Sequence, residues 1–442
     1  MNCELCIADK VKDFIGKHLK DDVGRLALAK FPEGIDREFV IRQVHARQVL
    51  SKKLPSWAGN DELFFPKKLS LEQCSSELTA KYKAILSSTK LHETTRKEDG
   101  EDSCNLVDLN LSDKKRVLVD LTGGMGVDTA FLSDNFDHTF YVEMQEELCE
   151  IARHNFKVLN KNITVVNDNA EHFLQDCDDV DCIYLDPARR DEYGRKMVSL
   201  HDCSPDVVEL HDLLLQKAKR ILIKVSPMLD IEMIKKELKD ISEIHVVAVR
   251  NECKEVLIEI QNLRNSESQK IETQSLCDSE PSIKIFATDL RENWNISFTE
   301  DEEQNAQWLL ADNVRRYIYE PGVACMKAGC FKLLSQRYGL EKLHRNSHLY
   351  TSDTLVSDFP GRIFEVLNVV PFDKKTKKEI ISRCQQLKAK SQKPTASVAT
   401  RNFPLSAEEL KKNLGLGDGS EYYIFGTTMK GEKKVVVLTK KI

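Results

Sequence analysis

A turn rich in glycine follows a short apolar run after residue 116 and is the segment with the clearest chemical meaning. Residues 117–129 read VLVDLTGGMGVDT, in which Gly123, Gly124 and Gly126 lie between a predicted strand and a predicted helix. Glycine lacks a Cβ, so it permits a positive φ and a close approach of the backbone to a ligand. We therefore predict a cofactor-binding turn here. Its polar members are Asp120, Thr122, Asp128 and Thr129.

A carboxylate ends the second predicted strand at Glu143, 17 residues after Gly126. A carboxylate at this position can accept hydrogen bonds from both hydroxyls of an adenosine ribose, which suits NAD and S-adenosylmethionine equally. An NAD site prefers a third glycine where this chain has Thr129, and this disfavours the dinucleotide. Asp120 could meet the methionine ammonium of S-adenosylmethionine, directly or through a water. The alternative is that Asp120 only caps the turn.

Polar residues also follow the third and fourth predicted strands. Asp168, Asn169 and Ala170 come after the run NITVV. A polar side chain here can pair with the adenine amino group of a cofactor, and the sequence leaves open whether Asp168 or Asn169 does so. The fourth strand ends in YLDPARRDEYG, residues 184–194, where substrate meets cofactor in a sheet of this type. The predicted catalytic residues of this segment are Asp186, which would orient the acceptor, Pro187, Arg189 and Asp191.

Two groups of basic residues could contact nucleic acid. Arg189 and Arg190 could stack on a base or bind phosphate, although pairing with Asp191 or Glu192 explains them equally well. Residues 361–442 carry 17 Lys and Arg against 8 Asp and Glu, a balance of +9 in a chain with a net charge of −6. A solvated face of charged helices is a common alternative for such a region. The second group opens a C-terminal helix and consists of Lys374, Lys375, Lys377 and Lys378.

A parallel sheet would bring the residues of the predicted site together. From residue 116 the chain alternates short β-branched runs with helical segments, which is typical of an α/β fold. Only the five residues RNECK join the last two runs, too few for a parallel crossover, so this pair should be antiparallel. We predict the class I methyltransferase fold, a Rossmann-like seven-stranded sheet. The predicted strands are residues 116–121, 139–143, 162–166, 180–185, 220–225, 244–249 and 255–260.

Helical periodicity predicts an α-helical N-terminal domain up to about residue 85, followed by a polar linker over residues 87–105. Small α+β domains should follow the sheet. Residues 282–289 predict a strand, residues 301–321 and 329–343 predict helices, and residues 362–441 predict the order βαβαββ. The length of 442 residues agrees with two to four domains.

Composition excludes several classes of protein. No apolar run approaches the roughly 18 residues of a membrane span, and the N-terminus does not resemble an export signal, so we expect a cytoplasmic protein without a membrane partner. The 13 cysteines are scattered and odd in number, which favours reduced thiols. Cys3 and Cys6 have zinc-like spacing, but no second pair of ligands accompanies them, and we predict no metal.

As a set, the motifs resemble a bacterial family of class I methyltransferases that end in a ferredoxin-like and a THUMP-like domain. The resemblance extends over nearly the whole chain and implies S-adenosylmethionine as cofactor and RNA as substrate. It implies a helical domain and linker at 1–110, a methyltransferase domain at 111–265, a ferredoxin-like domain at 280–330 and a THUMP-like domain at 331–442. The methyltransferase domain is also loosely similar to the RNA cap guanine-N2 methyltransferases. The segments that carry the likeness are LFFPKKLSLEQCSSELTAKY, DLTGGMGVDT, DPARRD, KVSPMLD, YEPGVACMKAG, HLYTS, FPGR and RNFP.

The chain departs from better-known motifs of methyltransferases. Enzymes that methylate exocyclic amines often carry Asp/Asn-Pro-Pro-Tyr/Phe, where this chain has Ala188 and Arg189 in the last two positions. Uracil-C5 methyltransferases need a catalytic cysteine after the fifth strand, where residues 224–227 read KVSP. Our expectation is an RNA methyltransferase acting on tRNA or rRNA. The alternatives are an inactive RNA-binding protein, an NAD-dependent oxidoreductase, and a methyltransferase for a protein or small molecule.

Overall fold

The computed structural model describes residues 9–88, 115–189, 199–261, 282–373, 375–387 and 395–442. The chain folds into two compact units. The first comprises residues 1–241 with 257–278, and the second comprises residues 242–256 with 279–442. Among the described helices, none is long and apolar enough to cross a membrane.

The first unit begins with helices, as predicted. Asp36 and Ser76 cap two of them, because their side-chain oxygens accept hydrogen bonds from backbone N–H groups of the first turn. Apolar residues of these helices, among them Leu50 and Trp57, share one core with Met125 and Phe156 of the following sheet layer. The helical segment is therefore packed directly on the sheet. The helices are α1 Asp9–His18, α2 Val23–Leu28, α3 Arg37–Lys53, α4 Pro55–Ala58, α5 Lys68–Gln73 and α6 Glu77–Ser87.

A parallel sheet with the order β7-β4-β1-β2-β3 forms the centre of the first unit, and the strand β9 lies next to β7. The inner strands are buried almost throughout, as expected where helices cover both faces. The strands are β1 Val117–Asp120, β2 His138–Glu143, β3 Ile163–Asn167, β4 Val180–Leu185, β7 Ala218–Val225 and β9 Glu252–Gln261, with the short β5 Ala188–Arg189 and β6 Cys203–Ser204. The helices between them are α7 Val127–Leu132, α8 Glu146–Val158, α9 Ala170–Asp176, α10 His211–Lys217 and α11 Ile231–Glu237.

Strand order reverses at β1, because the chain first adds β2 and β3 on one side and then β4 and β7 on the other. Ligands of open α/β sheets bind at such a reversal, beyond the carboxyl ends of the strands. Thr122, Glu143, Asp168 and Asp186 all lie at or just after these ends. The topology thus gathers residues that are far apart in the sequence.

The predicted hairpin is confirmed, and residues 242–256, which contain its turn, belong to the second unit. β8 (Ile241–Val249) is joined to β9 by Arg250 and Asn251, whose φ angles of 54° and 59° suit a tight two-residue turn. The predicted strand at residues 282–289 is confirmed as β10 (Lys284–Asp289), which runs parallel to β8. β11 (Trp294–Thr299), which the sequence did not predict, pairs with β10 in antiparallel orientation.

An eight-stranded sheet with the order β12-β14-β15-β13-β16-β19-β18-β17 completes the second unit. The predicted βαβαββ order is confirmed by β16 and the elements after it. The strands are β12 Leu309–Leu310, β13 Tyr317–Pro321, β14 Glu341–Lys342, β15 Tyr350–Ser352, β16 Gly361–Pro371, β17 Ser397–Arg401, β18 Tyr422–Met429 and β19 Lys433–Lys441. The helices are α12 Glu300–Asn305, α13 Val323–Ala328, α14 Phe331–Tyr338, α15 Thr376–Leu387 and α16 Ala407–Leu414.

One predicted helix is wrong. Residues 301–321 were expected to be helical, but only α12 forms at their start, and β13 occupies their end. Every residue of β13 is buried, and the strand pairs with β15 and β16 on its two sides. Pairing with distant strands therefore overrides the local helical pattern.

Candidate cofactor and acceptor site

A cavity of about 230 Å³ opens beyond the carboxyl ends of β1, β2, β3 and β4. Many of the residues predicted from the sequence meet in its walls, although they come from separate strands and turns. The predicted residues that line it are Asp120, Thr122, Gly123, Gly124, Gly126, Asp128, Glu143, Asp168, Asn169, Ala170 and Asp186.

The glycine turn has the backbone geometry that its sequence predicts at two of three positions. Gly124 and Gly126 have φ angles of +54° and +79°, which disfavour any residue with a Cβ. Gly123 is required for a different reason, since a Cβ there would lie 2.3 Å from the ring of Tyr141. The Tyr141 hydroxyl donates a hydrogen bond of 2.6 Å to the carbonyl oxygen of Gly124. The protein's own packing thus shapes the turn.

Glu143 lies directly beside this turn and is 9% exposed. Its Oε2 accepts a hydrogen bond of 2.9 Å from the N–H of Gly124, and its Oε1 accepts one of 2.9 Å from the N–H of Gln145. These bonds fix the direction of the carboxylate. Each oxygen keeps a further lone pair that can accept a hydroxyl group.

Asp120 is buried at the end of β1 and holds the other side of the turn. Its Oδ1 accepts from the N–H of Thr122 at 3.0 Å, so it does cap the turn, and its Oδ2 accepts from the Thr129 hydroxyl at 2.5 Å. Burial raises the pKa of Asp120 to about 7, the charges of Asp128 and Asp186 add to the rise, and the two hydrogen bonds oppose it. Thr129 has no exposed surface and lies behind Asp120 rather than in the cavity wall.

Asp168 and Asn169 use their side chains differently. The Asp168 carboxylate accepts from the N–H of Asn169 at 2.8 Å and pairs with Nδ1 of His172 at 2.6 Å. The hydrogen bond from His172 lowers the pKa of Asp168. The side-chain oxygen of Asn169 accepts from the N–H of His172 at 2.7 Å and caps α9. The side-chain oxygen of Asn169 therefore serves as the N-cap of α9.

Asp186 lines the cavity, and its side chain is 36% exposed. Its N–H donates a hydrogen bond of 2.6 Å to the Thr122 hydroxyl, which ties the end of β4 to the turn after β1. Its Oδ2 accepts a hydrogen bond of 2.5 Å from the Lys224 ammonium. Pro187 follows at intermediate exposure and does not line the cavity.

The predicted residue Asp128 belongs to a network of charged and polar groups whose other members the sequence analysis did not identify. Oδ2 of Asp128 accepts hydrogen bonds from the hydroxyls of Ser75 at 2.7 Å and Tyr184 at 2.8 Å. The ammonium of Lys83 lies 3.2 Å from Oδ1 of Asp128, and its side chain has no exposed surface. Burial raises the pKa of Asp128, but the charges of Lys83 and Lys224 outweigh it, and the pKa lies below its usual range.

A signal for Lys83 does exist in the sequence. In α6 the buried face contains Thr79, Ala80, Lys83 and Leu86, spaced by three and four residues. A lysine on the apolar face of an amphipathic helix needs a buried partner. Ser75 and Lys224 carry no comparable signal.

Some predicted residues lie outside the described part of the chain or in another place. The side chains of Arg189 and Lys377 are not described, and neither are Arg190, Asp191 and Lys374. The backbone of Arg189 belongs to β5, which pairs with β6. The other two predicted nucleic-acid contacts are Lys375 and Lys378. Both belong to the second unit, and both side chains are exposed.

A parallel sheet that reverses at β1, with a glycine turn and an acidic strand end at the reversal, is typical of α/β folds that bind a cofactor containing adenosine. Residues 317–360 match a family described as a ferredoxin-like domain, and residues 361–441 match one described as THUMP domain-like. The fold is similar to the crystal structure of a candidate methyltransferase from Porphyromonas gingivalis W83, with 31% identity and a TM-score of 0.78. The likeness covers 99% of this chain and 100% of that one. The chain therefore belongs to the family of class I methyltransferases with C-terminal ferredoxin-like and THUMP-like domains.

Other solved structures resemble only part of the chain. A candidate methyltransferase from Streptococcus mutans, solved in complex with S-adenosylhomocysteine, is 17% identical over 34% of this chain and 89% of its own, with a TM-score of 0.26. An rRNA methylase from Streptococcus thermophilus is 16% identical over 33% of this chain and 87% of its own, also with a TM-score of 0.26. None of the curated proteins compared with the chain matches it.

Proposed function

We propose that this protein transfers a methyl group from S-adenosylmethionine to a nucleotide of RNA, in tRNA or rRNA. One observation carries the proposal. The glycine turn, the carboxylates of Asp120, Glu143 and Asp168, and the acceptor-side carboxylate of Asp186 line the same cavity.

The cofactor would be held by residues whose chemistry suits each of its parts. Glu143 would accept the ribose hydroxyls, since its fixed oxygens keep free lone pairs. Asp120 would accept the methionine ammonium. Asp168 would accept the adenine amino group, because its carboxylate is charged and has two acceptor oxygens, whereas Asn169 has one, which caps α9. The positive φ angles at Gly124 and Gly126 leave backbone without Cβ atoms on this side of the cavity.

S-adenosylmethionine supplies a methyl group on a sulfonium, which a nucleophilic atom attacks in line. Alignment of the reacting atoms accounts for much of the acceleration of such a reaction, and a base is needed only if the acceptor must lose a proton. Asp186 would orient the acceptor through a hydrogen bond and take up that proton. Pro187, Arg189 and Asp191 stay proposed members of the acceptor site, and Ala170, Thr122 and Asp128 stay proposed members of the cofactor site.

RNA is proposed as the substrate on two grounds. Domains of the THUMP type generally bind RNA in RNA-modifying enzymes, and residues 361–441 match a THUMP-like family. The region from residue 361 onward is basic, with a balance of +9, as contact with phosphates requires. The proposed contacts are Arg189, Arg190, Lys374, Lys375, Lys377 and Lys378.

The test is incubation of the purified protein with labelled S-adenosylmethionine and total cellular RNA, followed by identification of the labelled nucleoside. We expect label in RNA for the wild type and a loss of about a hundredfold in rate for Asp186→Asn. Asp212→Asn is the matched control, because the side chain of Asp212 is 96% exposed and lies outside the cavity. Label in protein alone, or in no macromolecule, would contradict the choice of RNA.

A further inference from the structure

Lys224 lies between two carboxylates that line the cavity, those of Asp186 and Asp128. Its ammonium is 2.5 Å from Oδ2 of Asp186 and 4.0 Å from Oδ2 of Asp128, and it donates a hydrogen bond of 3.4 Å to the Ser75 hydroxyl. The Lys224 side chain is only 12% exposed, while that of Asp186 is 36% exposed. Lys224 thus touches Asp186 from the protein side and leaves part of the carboxylate open toward the cavity.

A second lysine explains why Lys224 lies closer to Asp186 than to Asp128. The Lys83 ammonium is 3.2 Å from Asp128 and also donates a hydrogen bond of 3.1 Å to the Ser75 hydroxyl. The Tyr184 hydroxyl donates a further bond to Asp128. Because these groups compensate the negative charge of Asp128, this carboxylate attracts the Lys224 ammonium less strongly. Lys83 and Ser75 belong to the helical N-terminal segment, so this segment contributes to the catalytic cavity.

We propose that Lys224 is the positioning residue of the acceptor site: it aims the Asp186 carboxylate at the acceptor and balances its charge, while Ser75 accepts a hydrogen bond from it and Lys83 compensates the charge of Asp128. The inference deepens the proposed function and rests on it.

Charge balance at this place has a consequence that can be measured without turnover. S-adenosylmethionine carries a positive sulfonium, whereas the sulfur of S-adenosylhomocysteine is neutral. The ratio of the two affinities therefore reports the charge around the reacting atoms. Removal of the Lys224 charge leaves Asp186 uncompensated and should favour the sulfonium. Removal of the Asp186 charge leaves Lys224 uncompensated and should disfavour it.

The experiment is calorimetry of the full chain with both ligands, for wild type, Lys224→Met, Asp186→Asn and the double variant. We expect the affinity ratio to move about tenfold toward S-adenosylmethionine in Lys224→Met and the opposite way in Asp186→Asn, with the double variant close to wild type. Lys219→Met is the matched control on the same strand, since Lys219 is 60% exposed and pairs with Asp181. It should leave the ratio unchanged.

Kinetics give a second measurement once an RNA substrate is known. Lys224→Met should lower kcat for RNA methylation about thirtyfold without raising KM for the cofactor, because the acceptor is misplaced while the sulfonium is bound at least as tightly. Lys224→Arg should restore part of the activity. If Lys224→Met fails to fold, Lys224→Gln removes the same charge with a polar side chain and should move the ratio in the same direction.

The outcomes separate the two proposals. If the wild type binds neither ligand, the proposed function fails. If the wild type binds both and the neutral Lys224 variants keep its ratio, the positioning role of Lys224 is overturned while the proposed function stands. Opposite shifts in Lys224→Met and Asp186→Asn support both.

Discussion

Two parts of the cavity are built on different principles. The cofactor wall consists of residues 123–126, Glu143 and Asp168, and its carboxylates accept hydrogen bonds from backbone N–H groups nearby in the structure. The acceptor floor consists of Ser75, Lys83, Asp186 and Lys224, together with Asp128, which it shares with the proposed cofactor site. Contacts between charged and polar side chains join these residues.

The partners also differ in their separation along the chain. In the cofactor wall Gly124 and Glu143 are 19 residues apart, whereas in the acceptor floor Ser75 and Lys224 are 149 residues apart. A strand, turn and helix can form the wall locally. The floor exists only when the N-terminal helices have packed on the sheet. Wall and floor should therefore respond differently to substitution.

The largest effect is expected at Lys83, where Lys83→Met removes the fully buried ammonium from Asp128. Loss of the nearest ammonium from this buried carboxylate should lower the free energy of unfolding by roughly 3–5 kcal/mol. Urea denaturation of the full chain, followed by circular dichroism, measures this. Lys81→Met is the control on the same helix, because Lys81 is 55% exposed and forms an exposed pair with Glu77. It should cost at most about 0.5 kcal/mol.

Equal stability of the two variants would show that Lys83 is dispensable for the floor. The comparison of wall and floor would then lose its physical basis, since the contribution of the helical segment depends on this buried charge.

Sequence reasoning succeeded for the fold where local patterns were strong. The alternation of strands and helices was confirmed, as was the hairpin at Arg250 and Asn251. It failed at Tyr317–Pro321, where pairing on both sides of a buried strand decided the conformation. For the candidate site, Gly124, Glu143 and Asp168 could be predicted because they end successive strands. Ser75 and Lys224 could not, since no local pattern records that two distant segments meet.

The second prediction concerns the cofactor wall, in Glu143→Gln. The amide keeps the shape of the carboxylate, but one of its two positions becomes a donor that cannot accept from an N–H group or a hydroxyl. We expect the affinity for S-adenosylhomocysteine to fall about thirtyfold, as charged hydrogen bonds are worth about 1.5–3 kcal/mol. Calorimetry measures it. Glu146→Gln, an exposed neighbour outside the cavity, is the control and should bind normally.

A fall in stability without a fall in affinity would mean that Glu143 only holds the turn. The cofactor wall would then resemble the acceptor floor, in which the residues mainly stabilise the folded protein.

The third prediction tests why the wall needs glycine at residue 123. Gly123→Ala places a Cβ 2.3 Å from the Tyr141 ring, and overpacking of this kind costs about 1–3 kcal/mol. Thermal unfolding should therefore begin at a lower temperature. Gly16→Ala is the control in α1, because no atom lies within 4 Å of the added Cβ. It should be neutral or slightly stabilising. A normal stability for Gly123→Ala would imply that the ring of Tyr141 moves freely.

The smallest effect is expected in the pH dependence of cofactor binding, through Asp120. Its pKa of about 7 means that the carboxylate is mostly protonated at pH about 6 and mostly ionised at pH about 8. An ammonium ligand binds the ionised form, so ligand binding lowers the pKa and the affinity rises with pH through this range. Between these two pH values the affinity for S-adenosylhomocysteine should rise by at most about tenfold. Asp120→Asn should remove this rise, and Thr129→Val should move it to higher pH, because the Thr129 hydroxyl stabilises the carboxylate. A pH dependence that survives in Asp120→Asn would assign the titration to another group and leave the contact with the ammonium unsupported.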